Sequence, residues 1–405
     1  MTTDATPRLR AVLANREFRA LWFAETQSLV GDQLTVVALS ILVYDRTGSA
    51  LWTAAVYGLT FLPALAGGLG LSQLADLFPR RTVLVATSLL QAVCIGLMAI
   101  PGTPIVVLCL LIVLAKLAAA PGISAQNSLG REIFTDDHRY LQSQDLRGIS
   151  ANTATLLGLA GGGLLVAALG TSWALTIDAL TYLIGAIVVG AGVRGRPAAG
   201  ERGAGWFGAI KYVFGRPRLR VLIWLSWLVG FAVIPEGVAV PLVQELGASN
   251  QAVGWLLAAD PLGFVVGTFL LSRYVSPDGR RRALGLLAIV PLLLLTTFAF
   301  RPNLIISMLI LGLAGAAGAY FITVGATYIT WVPNEIRGAA GGLYRTGLRV
   351  VQGIGVAIGG GVAQLLGSAG TAIAVAGAAG VVVAVPIAVS WARVRNATSP
   401  GTVTP

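Results

Sequence analysis

Charge is scarce in this sequence. Only 11% of its 405 residues are Asp, Glu, Lys or Arg, against about 25% in a soluble protein. That shortfall excludes a globular domain on a single membrane anchor. Lys116 and Lys211 are the only lysines among 28 basic residues. Histidine occurs once, at His138, in a polar stretch beside Asp136 and Asp137. One histidine without a cysteine cluster supplies no ligand set for catalytic zinc. The two cysteines, Cys94 and Cys109, fall inside apolar runs and read as small buried hydrophobes, not as a disulfide framework. The sequence has no GxxxxGK[ST] loop, and no HExxH, GxSxG or dinucleotide fingerprint in a fitting context. Nothing in it points to a nucleotide-driven pump or to an enzyme, and no cofactor or metal is expected.

What is present is apolar. Hydrophobic residues make up 56% of the chain, and the mean hydropathy is +0.81. Crossing a bilayer takes roughly 20 helical residues, and runs of that length recur throughout. They fall at about 19–43, 51–75, 82–100, 104–127, 144–169 and 172–193, then at 219–243, 250–273, 283–300, 303–327, 340–366 and 370–392. The reading is an all-α integral membrane protein with twelve transmembrane helices in two six-helix halves. Residues 1–193 form the first half, 194–218 a polar, Arg- and Gly-rich middle loop, and 219–405 the second half.

The basic residues set the orientation. All but Arg46, Arg301 and Lys116 fall on one side of a twelve-span arrangement. The positive-inside rule makes that side cytoplasmic, with both termini there. The same bias accounts for the net charge of +11 without nucleic acid as a partner. The N-terminal stretch MTTDATPRLRAVLANREF has no apolar core or small-residue cleavage site, so the first span reads as a retained helix. The expected setting is a bacterial cytoplasmic membrane, and the expected oligomeric state is a monomer.

The halves repeat. Residues 146–170 align with 343–367 at an offset of 197, which carries Gly158, Gly162, Gly163 and Gly170 onto Gly355, Gly359, Gly360 and Gly367. The pairs Gly158/Gly162 and Gly355/Gly359 form small-xxx-small faces suited to close helix packing. Parallel six-span halves are a transporter plan with the substrate site near the midplane.

The first span, RALWFAETQSLVGDQLTVVALSILV, carries two acids, Glu25 and Asp32. Seven residues apart, they share one helix face about 10 Å apart along the axis. Ser28 and Thr35 continue the stripe. Ionisable groups at membrane depth are costly and usually face a bundle interior or a water-filled path. Lys116 lies about as deep in the fourth span.

Residues 72–81, SQLADLFPRR, resemble the signature loop between the second and third helices of the major facilitator superfamily, G-x-L-a-D-R-x-G-R-R. Leu74, Ala75, Asp76, Arg80 and Arg81 match it, while Ser72, Leu77 and Pro79 depart. The stretches YDRTGSA, LADLFPRR and VPNEIRG look most like the branch of enterobactin-type siderophore exporters and related bacterial drug exporters. The resemblance implies a gate loop, with Asp76 facing the start of the eleventh helix and Arg80 and Arg81 closing the cytoplasmic side. It implies that the first, fourth, seventh and tenth helices line a central cavity. In the fourth helix the family pattern has an arginine where this chain has Lys116, a cation that can lose its proton. In the fifth, the family's Gly-Pro is Gly158-Leu159.

On that frame the polar residues suggest chemistry. An Asp32–Lys116 ion pair in the cavity wall, opened by a proton on Asp32, would couple proton flow to substrate movement. The alternative is a permanent structural bridge. Glu25 is expected nearer the cytoplasmic face, to exchange protons, to bind a cationic substrate, or to pair with an arginine between the fourth and fifth helices. Asp260 precedes Pro261 inside the eighth helix and is expected at a kink facing the cavity. Asp178 and Glu236 read as hydrated rim or packing residues near the outer surface. Trp22, Trp52, Trp173, Trp206, Trp255, Trp331 and Trp391 read as interfacial anchors. Tyr57, Trp224, Trp227 and Tyr320 lie deeper and are expected mainly against lipid, the alternative being that some stack on a flat or amphipathic substrate. The expected function is proton-coupled efflux of a small amphipathic molecule, such as a drug, antibiotic or siderophore, by alternating access. An importer, symporter or uniporter of the same fold, or a non-transporting receptor, is the alternative.

Overall fold

The computed structural model describes residues 12–61, 71, 74–197, 206–333 and 336–396. These residues form helices joined by short turns: α1 (Arg16–Thr47), α2 (Ala50–Leu59), α3 (Leu74–Leu77), α4 (Arg80–Met98), α5 (Ile105–Ile133), α6 (Asp137–Leu169) and α7 (Thr171–Gly192). Then come α8 (Trp206–Phe214), α9 (Pro217–Trp227), α10 (Val229–Ala232), α11 (Ile234–Gly237), α12 (Ala239–Glu245), α13 (Gln251–Tyr274) and α14 (Pro277–Thr296). The series ends with α15 (Leu304–Gly318), α16 (Tyr320–Trp331), α17 (Arg337–Leu366) and α18 (Ala369–Asn396). Among the described residues, eleven helices are long and apolar enough to cross a membrane. The apolar α2 is shorter, and residues 62–70 of the span expected at 51–75 lie outside the described residues.

Local chemistry sets the helix ends. Asp136 caps α6, its side chain accepting from the Arg139 amide at 3.1 Å. That cap starts α6 at Asp137, so His138 sits in its first turn, not in a loop. Ser276 caps α14 with Pro277 in the first turn, which draws Arg280, Arg281 and Arg282 into the helix. The middle loop is not wholly irregular, since α8 lies within it and buries Val213. The seventh span is broken into α9 to α12, where Pro235 and Pro241 each remove a backbone donor.

The chain divides into two compact units: residues 1–42 with 62–203, and residues 43–61 with 204–405. In the first, α4 packs along α5 and α7. Leu21, Val83, Leu84, Ala125, Leu129 and Val189 are buried together there. In the second, α13 packs on α15, α14 on α18, and α2 on α17. Its core gathers Leu222, Leu284, Leu292, Val324, Tyr328 and Trp391. Large apolar side chains such as Val106, Leu157, Ile187, Phe269 and Leu286 point outward, as lipid-facing residues do.

Both units build one interface in the same register. A Cβ at Gly158 would meet Gln33 Cβ at 2.6 Å, and one at Gly355 would strike the Gly230 backbone. Gly162 lies on Val37, and Gly359 on Ile234. The 197-residue offset that relates the glycines also relates Gln33 to Gly230 and Val37 to Ile234. Each half therefore sets its glycine-bearing helix, α6 or α17, against the segment that opens that half, α1 or α10–α11, by the same small-residue contact.

Candidate functional site

In the first unit, α1 presents Asp32 to α5 and Glu25 to α6. Lys116 Nζ of α5 lies 2.6 Å from Asp32 Oδ1. Arg147 of α6 grips Glu25 with both arms of its fork, Nε to Oε2 at 2.6 Å and Nη2 to Oε1 at 2.7 Å. Its Nη1 bonds Asn127 at 3.1 Å. Of the three uses open to Glu25, the structure shows a pairing with an arginine, though Arg147 lies at the start of the fifth apolar run and not in the stretch between the fourth and fifth. Ser28 lies between the two acids and donates back to the Ala24 carbonyl at 2.7 Å. Glu25, Ser28, Asp32, Gln91, Gln126 and Tyr182 line one cavity of about 140 Å³.

Of the two readings of Asp178, rim or packing, the structure excludes the hydrated rim: it is 0% exposed, with Thr35 donating to its Oδ2 at 2.5 Å, and with the Thr181 hydroxyl shared between its backbone carbonyl at 2.8 Å and its Oδ1 at 3.1 Å. Both donors are short hydroxyls set against the carboxylate by helix packing, which a one-dimensional apolar pattern does not report. The available clue was a lone acid seven residues into an apolar run.

At the basic end of this unit, Arg80 is paired with Glu132, and Arg81 donates to the Gly190 carbonyl. Arg196 joins Glu17, at 2.6 Å, to Glu132, at 3.7 Å. The loop arginines thus tie together helices α1, α4, α5 and α7 of their own unit. Asp76 falls in α3, and its side chain lies outside the described residues, as do Asn334 and Glu335 of the VPNEIRG stretch.

The second unit contains a larger cavity, about 400 Å³, that the sequence did not locate. Asp260 lines it, and so does Glu236, for which the sequence suggests a rim or packing role. Phe264, Phe321 and Tyr344 add aromatic wall, and among the described residues no lysine, arginine or histidine lines it. Tyr57 donates to Glu236 Oε2 at 2.5 Å. Gln352 also lines the cavity, and its buried Oε1 has no hydrogen-bond partner among the described residues. Asp260 belongs to this unit, whereas Asp32, Lys116 and Glu25 belong to the first.

The aromatic readings need correction too. Tyr57 and Tyr320 are buried, not lipid-facing; Tyr320 donates to the Leu225 carbonyl at 3.0 Å. Trp391 is 1% exposed, stacks on Trp331 and donates to the Arg281 carbonyl at 2.9 Å. Trp22 donates to Ser150 at 2.8 Å. A polar atom on a buried ring needs a partner, and partners came from helices distant in sequence. Among the described residues, no group of three His, Cys, Asp or Glu side chains could hold a metal ion.

Long apolar helices with outward-facing aliphatics, a repeated half and interior ion pairs define a multi-pass membrane protein of the transporter class. The Major Facilitator Superfamily profile matches residues 21–235 and again 235–405, and the chain belongs to that family. The multidrug efflux pump Tap of Mycolicibacterium fortuitum is 30% identical over 350 residues, covering 79% of this chain and 83% of the relative. The Mycobacterium tuberculosis protein of the same name is 27% identical over 318 residues, covering 72% and 74%. Among solved structures, the POT family transporter PepTSo superposes with a TM-score of 0.76 at 11% identity, over 95% of this chain and 99% of the other. The nucleoside transporter NupG superposes with a TM-score of 0.71 at 17% identity, over 93% and 98%. At such identities these structures speak for the fold alone.

Proposed function

We propose that this chain is a proton-coupled exporter of small amphipathic molecules that carry a basic group, working by alternating access in a bacterial cytoplasmic membrane with both termini inside. The observation that carries this reading is the composition of the second unit's cavity. It offers aromatic and aliphatic wall together with acceptors, namely Glu236, Asp260 and the unpartnered Gln352 Oε1, and no base. Its volume of about 400 Å³ suits a drug-sized ligand. A ligand with an apolar body and a protonated amine satisfies every one of those groups. Export as the direction is supported by the Tap relatives.

Proton coupling is assigned to the first unit, at the Asp32–Lys116 pair, where an ion pair of 2.6 Å sets its carboxylate on the lining of that unit's cavity. Glu25 is the second proton or cation site there. Arg80 and Arg81, with Asp76, are assigned to the cytoplasmic gate. The test is substrate-triggered collapse of a pH gradient in inverted membrane vesicles, screened with basic amphipathic compounds. The wild type is expected to respond and Asp32→Asn to fail. Accumulation of substrate by intact cells would overturn export. Binding without any movement would leave a receptor as the better reading.

A further inference from the structure

The interior of the first unit holds two carboxylates and one amine around the same turns of α1. Lys116 is committed to Asp32 at 2.6 Å. Asp178 reaches the next turn from α7, where its oxygens accept from the hydroxyls of Thr35 and Thr181. Gly31 lets the two helices meet, since a Cβ there would fall on Asp178 Oδ1. Tyr182, one turn beyond Asp178, lines the cavity that Asp32 lines. The titratable or charged groups around Asp178 are thus Asp32 from α1, Lys116 from α5 and Tyr182 on its own helix. Along this stretch α4 contributes Gln91 and the buried Cys94, and α6 carries no acid or base beyond Arg147.

With both acids ionised, this largely buried cluster carries a net negative charge, with Asp178 fully sealed from water, a disfavoured state. One proton makes it neutral. Asp32 has the ammonium as its partner, whereas Asp178 has only hydroxyls, which can rotate to accept as readily as to donate. We infer that Asp178 is the carboxyl that holds the transported proton, with Asp32 serving as the counter-ion of Lys116. The proton leaves Asp178 for the cavity when positive charge, from Lys116 turning away from Asp32 or from an arriving cationic substrate, compensates the carboxylate. This inference rests on the proton-coupled reading above and moves the proton from the cavity-lining acid to the sealed one.

The experiment is infrared difference spectroscopy on the purified full chain in lipid, titrated from acid to alkaline pH, beside the vesicle assay. The wild type is expected to show the carbonyl band of a protonated buried carboxyl at neutral pH. Asp178→Asn removes that band, while Glu25→Gln and Asp260→Asn keep it. In vesicles, Asp178→Asn should still exchange labelled substrate down its gradient but lose at least tenfold in substrate-triggered proton release, and Asp178→Glu should restore release. A band that survives in Asp178→Asn, or its absence from the wild type, overturns the inference. So does undiminished proton release by the variant. A wild type that moves substrate without protons sinks the coupled reading instead, and the infrared band still decides where the proton resides. Should Asp178→Asn fail to fold, as judged by its elution profile, Thr35→Val provides the test. Losing one hydroxyl partner should shift the band's frequency, and an unshifted band counts against Asp178.

Discussion

Arg147 holds Glu25 in a two-armed contact, at 2.6 and 2.7 Å, with side chains only 10% and 19% exposed. Planar, bidentate pairing of this kind is the strongest arrangement open to an arginine and a carboxylate. Removing one partner leaves a mostly buried charge uncompensated. Arg147→Gln is expected to cost about 2–3 kcal/mol, somewhat below the range for fully buried pairs. The double variant Glu25→Gln/Arg147→Gln should recover part of that loss. Thermal unfolding of both singles and the double in detergent gives the coupling energy. Additive losses would show that the pair contributes nothing beyond its separate residues.

The Asp32–Lys116 pair makes a parallel prediction with a functional readout. Lys116→Met should destabilise the protein more than Asp32→Asn does, because it leaves two neighbouring acids, Asp32 and Asp178, with no cation between them, whereas Asp32→Asn strands an ammonium that still has Asp178 nearby. Both variants should abolish proton release in the vesicle assay. Lys116→Arg keeps the charge, but its planar fork holds a carboxylate with two donors and releases it less readily than a single ammonium does, so it should fold normally and release protons at a reduced rate. Full activity in Lys116→Met would assign the pair a purely structural role.

Glycine positions differ in their tolerance according to what their missing Cβ would meet. Gly355 lies against the Gly230 backbone, and Gly158 against Gln33 and the Val30 carbonyl. Alanine at either should cost about 1–3 kcal/mol, the usual range for overpacking. Gly148 lies in the same helix as Gly158 with open space at its Cβ position. There alanine should be neutral or stabilise by up to about 1 kcal/mol through its higher helix propensity. Melting temperatures of the three variants check the contrast.

The acidic cavity of the second unit predicts charge selectivity. Tetraphenylphosphonium should bind, and tetraphenylborate, nearly the same shape with opposite charge, should not. Removing one carboxylate, by Glu236→Gln or Asp260→Asn, should weaken binding of the cation by about ten- to a hundredfold, equivalent to roughly 1.4–2.8 kcal/mol. Calorimetry on the purified protein measures this. Equal binding of both ions would remove the electrostatic basis of the substrate assignment.

Much of this protein was legible in one dimension. A membrane-spanning helix must satisfy its backbone internally and face lipid with apolar side chains, so composition and run length alone imposed a polytopic helical fold. The glycine repeat was equally visible, because close helix approach restricts side-chain size at fixed positions. Glu25, Asp32 and Lys116 stood out because charge is costly at that depth. Asp178, Glu236 and Tyr57 were just as polar, but periodicity could not say which face of a helix would be sealed and which would line a cavity. That choice depends on neighbours far away in sequence. Thr35 reaches Asp178 across 143 positions and Tyr57 reaches Glu236 across 179. Run length and internal repetition required that the chain cross a membrane many times in two related halves. The tertiary structure decided which acids received a cation, which received only hydroxyls, and which were left facing a cavity, because hydrogen-bond and ion-pair partners are chosen by helix packing.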